Sequence, residues 1–480
     1  MRWTVVNYYT GVFLRIFSAL LLVPVVVGKY YGESFVQLEP FLVASFTAIT
    51  LGWVLSRTGD EARPEPVEAM ATATTAWLLA VGLAAIPLAT VAGVSFMDAY
   101  FEAMSGMTTT GMSIFTSVAL PRSLLFWRSF MQWVGGLGIL TFFVAVLVES
   151  GGVARKLVET ESNKIAAGGS IHASLFKSIK SLWYVYIVLT VVEVVLLMHF
   201  GVPSFEAVTH SLATLPTGGF ASVPDLGALM NPGVRVTLTL FMFLGGTNFL
   251  LIYSVMRGRL RRMANDFEFR LYLSITVVAV LLVAADLLLS TGQSVTAAIA
   301  QSGFHVSSVI SSTGFTLEPI GSFPDVSKYL FLVLMFIGGS LGSTTGGFKM
   351  MRLGIMGKLV AQQVRSLGIP RTVVNPVTVG GRILDDQELR QVAAILFLWL
   401  AAIVAGGGVT VALTGYGVTE SMQLMTSAVG TMGPTFIPQA EIAALPPLVK
   451  VSLMVGMLAG RLEMLPLLSI LNIRLVQKFA

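Results

Sequence analysis

Apolar residues run in long, nearly unbroken blocks along this chain, and the blocks come in two lengths. Blocks of about 20 residues are long enough to cross the hydrocarbon core of a bilayer as helix. Between them lie apolar segments of 12 to 16 residues, which are too short to cross. Two long blocks open the sequence, over 11–28 and 40–55, and the polar stretch "RTGDEARPEP" closes them off. Four units follow, each ordered as a long block, a short block and a second long block. The long blocks pair as 69–91 with 125–148, 182–200 with 234–256, 271–290 with 329–359, and 389–413 with 448–471. The short blocks are too apolar for surface loops, so they read as half-helices that enter the membrane and stop, or as interfacial segments. The pattern predicts an all-α polytopic membrane protein of ten spans. Two N-terminal spans occupy 1–67, and four span–half-span–span repeats occupy 68–177, 178–266, 267–385 and 386–480.

Composition agrees. The 480 residues are 55% hydrophobic and 11% charged, with a mean hydropathy of +0.82, which no soluble domain of this size shows. Cysteine is absent, so disulfides, thiolate nucleophiles and zinc–thiolate sites are excluded. His172, His199, His210 and His305 have no ligand spacing. Arg15 interrupts the first apolar run and no small-residue cleavage site follows, so the N-terminus reads as a retained anchor. The net charge of +5 gains meaning once it is placed on loops. With a cytoplasmic N-terminus, the loops after each second span face inward. They carry Arg155, Lys156, Lys164 and Lys177, then Arg257, Arg259, Arg261, Arg262 and Arg270, then Lys349, Arg352, Lys358, Arg365, Arg371, Arg382 and Arg390. Outward loops hold little beyond Lys29, Arg122 and Lys328. This asymmetry obeys the positive-inside rule and places both termini in the cytoplasm, although the inner loop at 56–68 is net acidic.

The short blocks end alike, in "TTTGMS", "PTGGFAS", "SSTGFT" and "GTMGPT". Gly111, Gly219, Gly314 and Gly433 align, and each second span repeats a glycine further on, at Gly135, Gly245, Gly338 and Gly456. This is a fourfold internal repeat. A half-helix entering from outside aims the negative end of its dipole at mid-membrane. The chain must then return outward in extended form, and glycine allows the backbone angles this needs. Four such turns around one pore would make rings of carbonyl oxygen able to replace the hydration shell of a cation. The candidate ion-binding turns are Thr109, Thr110 and Gly111; Thr217, Gly218 and Gly219; Ser312, Thr313 and Gly314; and Thr431, Met432 and Gly433. The plainer reading is that each glycine is a helix C-cap.

Two features weaken the spans themselves. "GGSLGSTTGG" sits inside the block 329–359, where each of its five glycines would cost a helix about 1 kcal/mol relative to alanine. Irregular backbone at that depth must line water or be buried in protein. Gly338, Gly339, Ser340, Gly342, Ser343, Thr344, Thr345, Gly346, Gly347 and Lys349 form a candidate gate loop, the alternative being close helix packing through small residues. Arg461 stands near the middle of the last span, where an arginine costs about 2.5–3.5 kcal/mol. It should face the pore or the loop carbonyls, unless it snorkels to the cytoplasmic surface. Glu463 lies roughly 200° around the helix and is a poor partner. Glu193 reads as paired structurally, a transport role being the alternative, and Asp286 as interfacial.

The fourfold plan and the segments "MQWVGGLGI", "GGTNF", "GGSLGSTTGGFKMMR" and "AGRLEMLPLL" resemble the superfamily of potassium transporters that contains TrkH, KtrB and plant HKT proteins, the TrkH type most closely. The resemblance covers nearly the whole chain. "PTGGF" departs from the expected second turn, where the family has an Asn-Ala-Gly-Phe-like sequence. The resemblance implies potassium uptake through a selectivity filter, K⁺ as the transported ion and no covalent cofactor. It implies that the loop at 338–349 is the gate and that Arg461 is an electrostatic barrier beneath the filter. It further implies a homodimer in the cytoplasmic membrane of a prokaryote, regulated by a cytoplasmic nucleotide-binding subunit of TrkA type. Gly111, where sodium-preferring plant relatives carry serine, favours potassium. The alternative is an ion-coupled secondary transporter of another solute, which would show two broken helices in inverted halves. No convergent catalytic set lies in the spans, so the sequence does not read as an enzyme, nor does it suggest a nucleic-acid partner.

Overall fold

The computed structural model describes residues 1–115, 120–150, 171–368, 376–462 and 464. Arg155, Lys156, Lys164, Arg371 and Glu463 lie outside the described residues, and the last expected span is described only in its first part.

Helices α1 (Trp3–Leu20) and α2 (Val23–Tyr30) together make the first apolar span, and α3 (Phe35–Thr58) makes the second. Both start earlier than the apolar runs suggest. In α3 the reason is a capping box, in which Gln37 Oε1 accepts from the Ser34 N–H (3.1 Å) and starts the helix five residues before residue 40. Helices α1 and α3 cross at Gly11 and Gly52, where a Cβ on either would meet the carbonyl oxygen of the other, at 2.5 and 2.7 Å. Such approach through small residues is the usual way helices associate where lipid removes the hydrophobic drive.

The first repeat comprises α4 (Pro66–Ala92), α5 (Phe96–Met107) and α6 (Arg122–Ser150). The second has α7 (Ile171–His199), α8 (Ser204–Thr214), α9 (Pro232–Gly245) and α10 (Phe249–Met256), with the short α11 (Leu260–Asn265) after it. The third has α12 (Phe267–Thr291), α13 (Val295–Ile310), α14 (Asp325–Ile337) and α15 (Met350–Ser366). After β1 (Thr378–Val379) and β2 (Arg382–Ile383), the fourth has α16 (Asp386–Leu413), α17 (Val418–Gly430), α18 (Gln439–Ala443) and α19 (Pro447–Arg461). The half-helices α5, α8, α13 and α17 have 12, 11, 16 and 13 residues, about 17–24 Å at 1.5 Å per residue. None can cross the membrane.

Among the described residues six helices are long and apolar enough to span a membrane. Helices α9 and α10 would together make a further span, but they meet at 112°. The sequence pattern shows one broken span, whereas the fold has two. The fold is mostly helical, as expected, and β1 and β2 add one small antiparallel hairpin. Its two-residue turn, Gly380 and Gly381, has φ of 58° and 79°, the left-handed angles that such a turn requires.

The core sits between the spans and the half-helices. Trp127 is fully buried, stacks edge-on to Phe41 (6.1 Å between centroids), and donates from Nε1 to Ala84 O (3.2 Å), which ties the N-terminal spans to the first repeat. On α12, Tyr272, Thr276, Ala279, Val283 and Leu287 face inward while Leu273, Val277, Leu281 and Leu289 are exposed, as suits a helix with one side in lipid.

Replacing Gly11 by leucine should force α1 and α3 apart. We expect a loss of about 1–3 kcal/mol, the usual range for overpacking, seen as a lower thermal-unfolding midpoint in detergent. An unchanged midpoint would show that the crossing is not tight.

Candidate functional site

All four half-helices close in the same way. The N–H groups of Thr109, Thr217, Ser312 and Thr431 donate to the carbonyl three residues back, at 2.9–3.1 Å. The next N–H groups, of Thr110, Gly218, Thr313 and Met432, donate five residues back, to Ser105, Ala213, Ser308 and Ser427, at 2.8–2.9 Å. This pair of bonds is the Schellman closure, whose left-handed residue is usually glycine. Here that place holds Thr109, Thr217, Ser312 and Thr431, with φ of 53°, 57°, 59° and 50°. Residues with side chains held at such angles cost of order 1–3 kcal/mol each, and cluster where the surroundings enforce them. The aligned glycines come two residues later and are left-handed again, with φ of 80°, 78°, 81° and 92°. A helix cap explains the first left-handed residue and leaves the second unexplained.

The second one turns the chain around its neighbours. A Cβ on Gly111 would collide with the carbonyl oxygen of Gly218, and one on Gly219 with that of Thr313. One on Gly314 would strike Met432 O, and one on Gly433 would strike Thr110 O. The series closes on itself. The four turns therefore surround one axis in chain order, with four equivalent carbonyls between them. A cavity of ≈ 620 Å³ opens on one side and is lined by all four glycines. Thr109, Thr217, Ser312 and Thr431 are fully buried. Of their hydroxyls, Thr217 Oγ1 donates to Pro216 O (2.6 Å). The other three have no hydrogen-bond partner among the described residues.

Between α14 and α15 the chain is not helical from Gly338 to Lys349, and all of it is buried apart from half-buried Gly342. Gly338, Gly342 and Gly347 take φ of 70°, 74° and 85°. Gly339 and Gly346 are close approaches: a Cβ on Gly346 would collide with Thr431 Oγ1 and Gly430 O. The loop thus runs against the fourth turn. It also fills the break between α9 and α10. Ser340 N–H donates to Gly246 O (2.9 Å) and Thr344 N–H to Gly245 O (3.4 Å). The Thr344 hydroxyl donates to Leu215 O (2.8 Å), and Phe249 N–H, at the start of α10, donates to Gly342 O (3.2 Å). Helix ends leave carbonyls and N–H groups without partners, and the two broken spans satisfy each other's. Inside the loop Ser343 Oγ lies 2.7 Å from Thr345 Oγ1, and Lys349, at φ 79°, donates from Nζ to Thr345 O.

Arg461 is 2% exposed. Its Nη1 donates to Thr344 O (2.5 Å) in the loop and its Nη2 to Gly135 O (3.1 Å) on α6. It does not snorkel. Two sequence readings need correction. Glu193 is buried beside Thr214, but the Thr214 hydroxyl donates to His210 O (2.8 Å), and neither carboxylate oxygen has a partner of good geometry among the described residues. The second-span glycines are not one equivalent set. Gly135 and Gly245 pack on the carbonyls ending their half-helices, at Met107 and Leu215. In the fourth repeat Gly460, on Val429 O, does this in place of Gly456, and Gly338 belongs to the loop.

A family model for TrkH, a cation transport protein, matches residues 41–479. The chain belongs to the TrkH family. It is 30% identical to an uncharacterized cation transporter of Methanocaldococcus jannaschii, over 95% of this chain and 93% of that protein. It is 28% identical to the Trk system potassium uptake protein TrkH of Salmonella typhimurium, over 98% of both. The crystal structure of the potassium transporter TrkH from Vibrio parahaemolyticus matches with a TM-score of 0.88 at 26% identity, covering 98% of this chain and 99% of that one.

In this TrkH-family chain the groups that brace the turns were missed by motif reading. Glu102, His210 and His305 each stand nine residues before the turn glycine, and Gln423 ten before Gly433, so two of the histidines are in register after all. In three repeats this side chain accepts from the N–H three residues past the glycine. Ile114 N–H donates to Glu102 Oε2 (2.9 Å), Leu317 N–H to His305 Nε2 (3.3 Å), and Phe436 N–H to Gln423 Oε1 (3.0 Å). In the second repeat Gln132 of α6 grips the turn instead, donating to Gly218 O (2.7 Å) and accepting from Phe220 N–H (3.1 Å). Arg128 pairs with Glu102 (2.8 Å) and donates to Ser113 Oγ (2.9 Å), with its guanidinium 4.4 Å from the Phe220 ring centroid. The similar offset of Glu102, His305 and Gln423 from the glycines is visible in the sequence, whereas Gln132 and Arg128 reach the turns from another helix and leave no such mark.

Glu102→Ala should leave the Arg128 charge buried and unpaired. We expect it to lose about 3–5 kcal/mol, and Glu102→Gln less, since the amide still accepts from Ile114. Thermal unfolding of both variants checks the order, and equal stabilities would mean that the pair does not brace the turn.

Proposed function

We propose that this chain is a potassium uptake pore of the cytoplasmic membrane, with ten spans, both termini inside, and the four repeats bounded at 68–177, 178–266, 267–385 and 386–480. The observation that carries the reading is the closed ring of turns. Its carbonyls at Thr110, Gly218, Thr313 and Met432, and the partnerless hydroxyls of Thr109, Ser312 and Thr431, offer oxygen to a cation that has shed its water. Four half-helices direct the negative ends of their dipoles at this place. The potassium uptake named for the TrkH relatives supports K⁺ as the ion. Four turns around one axis fit a pore better than the two inverted broken helices of a secondary transporter.

The loop from Gly338 to Lys349 is the gate in this reading, because it lies against the fourth turn and is held by hydrogen bonds rather than by a continuous helix. Arg461 serves as a positive barrier on the ion path, anchored to the loop through Thr344 O. We further propose a homodimer and a nucleotide-binding cytoplasmic regulator of TrkA type. The arginines at 257, 259, 261, 262 and 270 and the basic residues of α15 would form part of its docking face.

Two experiments test this. Uptake of labelled rubidium into proteoliposomes should be inhibited by K⁺ far more than by Na⁺. Gly111→Ser should reduce that discrimination, since its Cβ meets Gly218 O at a left-handed φ. Unchanged discrimination would remove this turn from the filter. Deleting 339–346 should give flux that no longer needs a regulator. If the shortened protein inserts normally yet conducts like the parent, the gate lies elsewhere.

A further inference from the structure

Glu268 is the second residue of α12 and is 3% exposed, yet it belongs to neither the ring of turns nor the loop. Its Oε1 accepts from Leu341 N–H (2.6 Å), near the start of the loop, and from Met351 N–H (3.1 Å), just past its end. One carboxylate oxygen thus gathers both ends of the non-helical segment. The helix that follows explains why it is needed. N–H groups in the first turn of a helix have no partner within it. Lys349, the residue before α15, takes φ 79° and makes no capping bond with its side chain. Glu268 supplies that cap from another helix. An acceptor oxygen is what the free N–H groups at the start of α15 require, and the Glu268 carboxyl supplies it.

We propose that Glu268 is the latch of the loop: a positioning residue that holds the segment from Gly338 to Lys349 across the ion path. The proposal rests on the gate reading above for its functional consequence, though not for its geometry. The bonds to Leu341 and Met351 fix both ends of the segment that carries Gly346 against the fourth turn, and so restrict how far it can move from it. Gly342 and Gly347, at φ 74° and 85°, lie between the two anchored positions and let the segment refold once it is released.

The chain has no cysteine, so a single reporter thiol can be read without background. Ser343→Cys places one within the loop, at a side chain that is now buried. Its rate of reaction with a charged methanethiosulfonate in proteoliposomes reports loop position, and rubidium flux without a regulator reports conduction. In this background Glu268→Ala should raise labelling by about tenfold or more, the effect of ~1.4 kcal/mol, with a parallel rise in flux. Glu268→Gln, which keeps an acceptor oxygen, should stay near the parental rate. Val283→Ala opens a cavity on the same helix and should leave labelling at the parental rate. Parental labelling in a folded Glu268→Ala protein overturns the latch, as does equal acceleration by Val283→Ala. If the alanine variant does not fold, Glu268→Leu, which fills the space without an acceptor, takes its place, and parental labelling there overturns the latch. Fast labelling with unchanged flux keeps the latch and sinks the gate reading. Slow labelling together with raised flux after deletion of 339–346 sinks the latch alone.

Discussion

A backbone polar group inside a bilayer has no water to turn to and must find its partner in the protein. This fold interrupts helices in four half-helices and two broken spans, and each interruption releases N–H and carbonyl groups. The architecture is largely the means of satisfying them. Each half-helix closes its own end with the same two backbone bonds. The broken spans close one another: Gly245 O and Gly246 O, freed at the end of α9, accept from Thr344 and Ser340 of the loop. Left over at the ring of turns are the hydroxyls of Thr109, Ser312 and Thr431, which have no partner among the described residues. In the pore proposed above, such oxygen is what a dehydrated cation needs.

Charge is distributed around that axis with equal economy. Near the half-helix ends Arg461 and the Arg128–Glu102 pair are held by hydrogen bonds, whereas Glu193, beside Thr214, is not. Arg461 reaches the loop at Thr344 and α6 at Gly135, which joins the fourth, third and first repeats through one guanidinium. Arg128 and Glu102 form a second buried pair that stiffens the first return segment. A buried pair of this kind gains little net stability, because desolvation offsets the attraction. Its contribution is to fix the geometry of the turn, where a filter would tolerate little displacement. Glu268 does comparable work at the far side of the loop, where one carboxyl oxygen accepts from both Leu341 N–H and Met351 N–H.

The repeats are alike in backbone and unlike in side chains. The four closures match bond for bond, while the bracing residue is Glu102, His305 or Gln423 in three repeats and Gln132, from a neighbouring helix, in the second. The second repeat is the one whose turn reads "PTGGF", and Gly218 is the residue that Gln132 grips. The fold thus repeats what the backbone must do at this depth and leaves the supporting chemistry free to differ.

Much of this was legible in the chain itself. Span length, half-span length and the turn glycines follow from bilayer thickness and from backbone sterics, which act locally and leave marks at fixed spacing. The glycine cluster at 338–347 likewise announces a segment that is not helical. The sequence could not show that the α9–α10 span is also broken, because "GGTNF" reads as a tolerable flaw until the loop's N–H groups are seen bonding to its carbonyls. Nor could it distinguish Gly460 from Gly456, identify the bracing roles of Glu102, Gln132 and His305, or link Glu268 to residues 73 and 83 positions away. Those assignments depend on which helix faces which across the repeats. In a bilayer, where apolar pattern says only that a helix is buried in lipid or protein, that facing is set by packing and by the partners that freed backbone groups find.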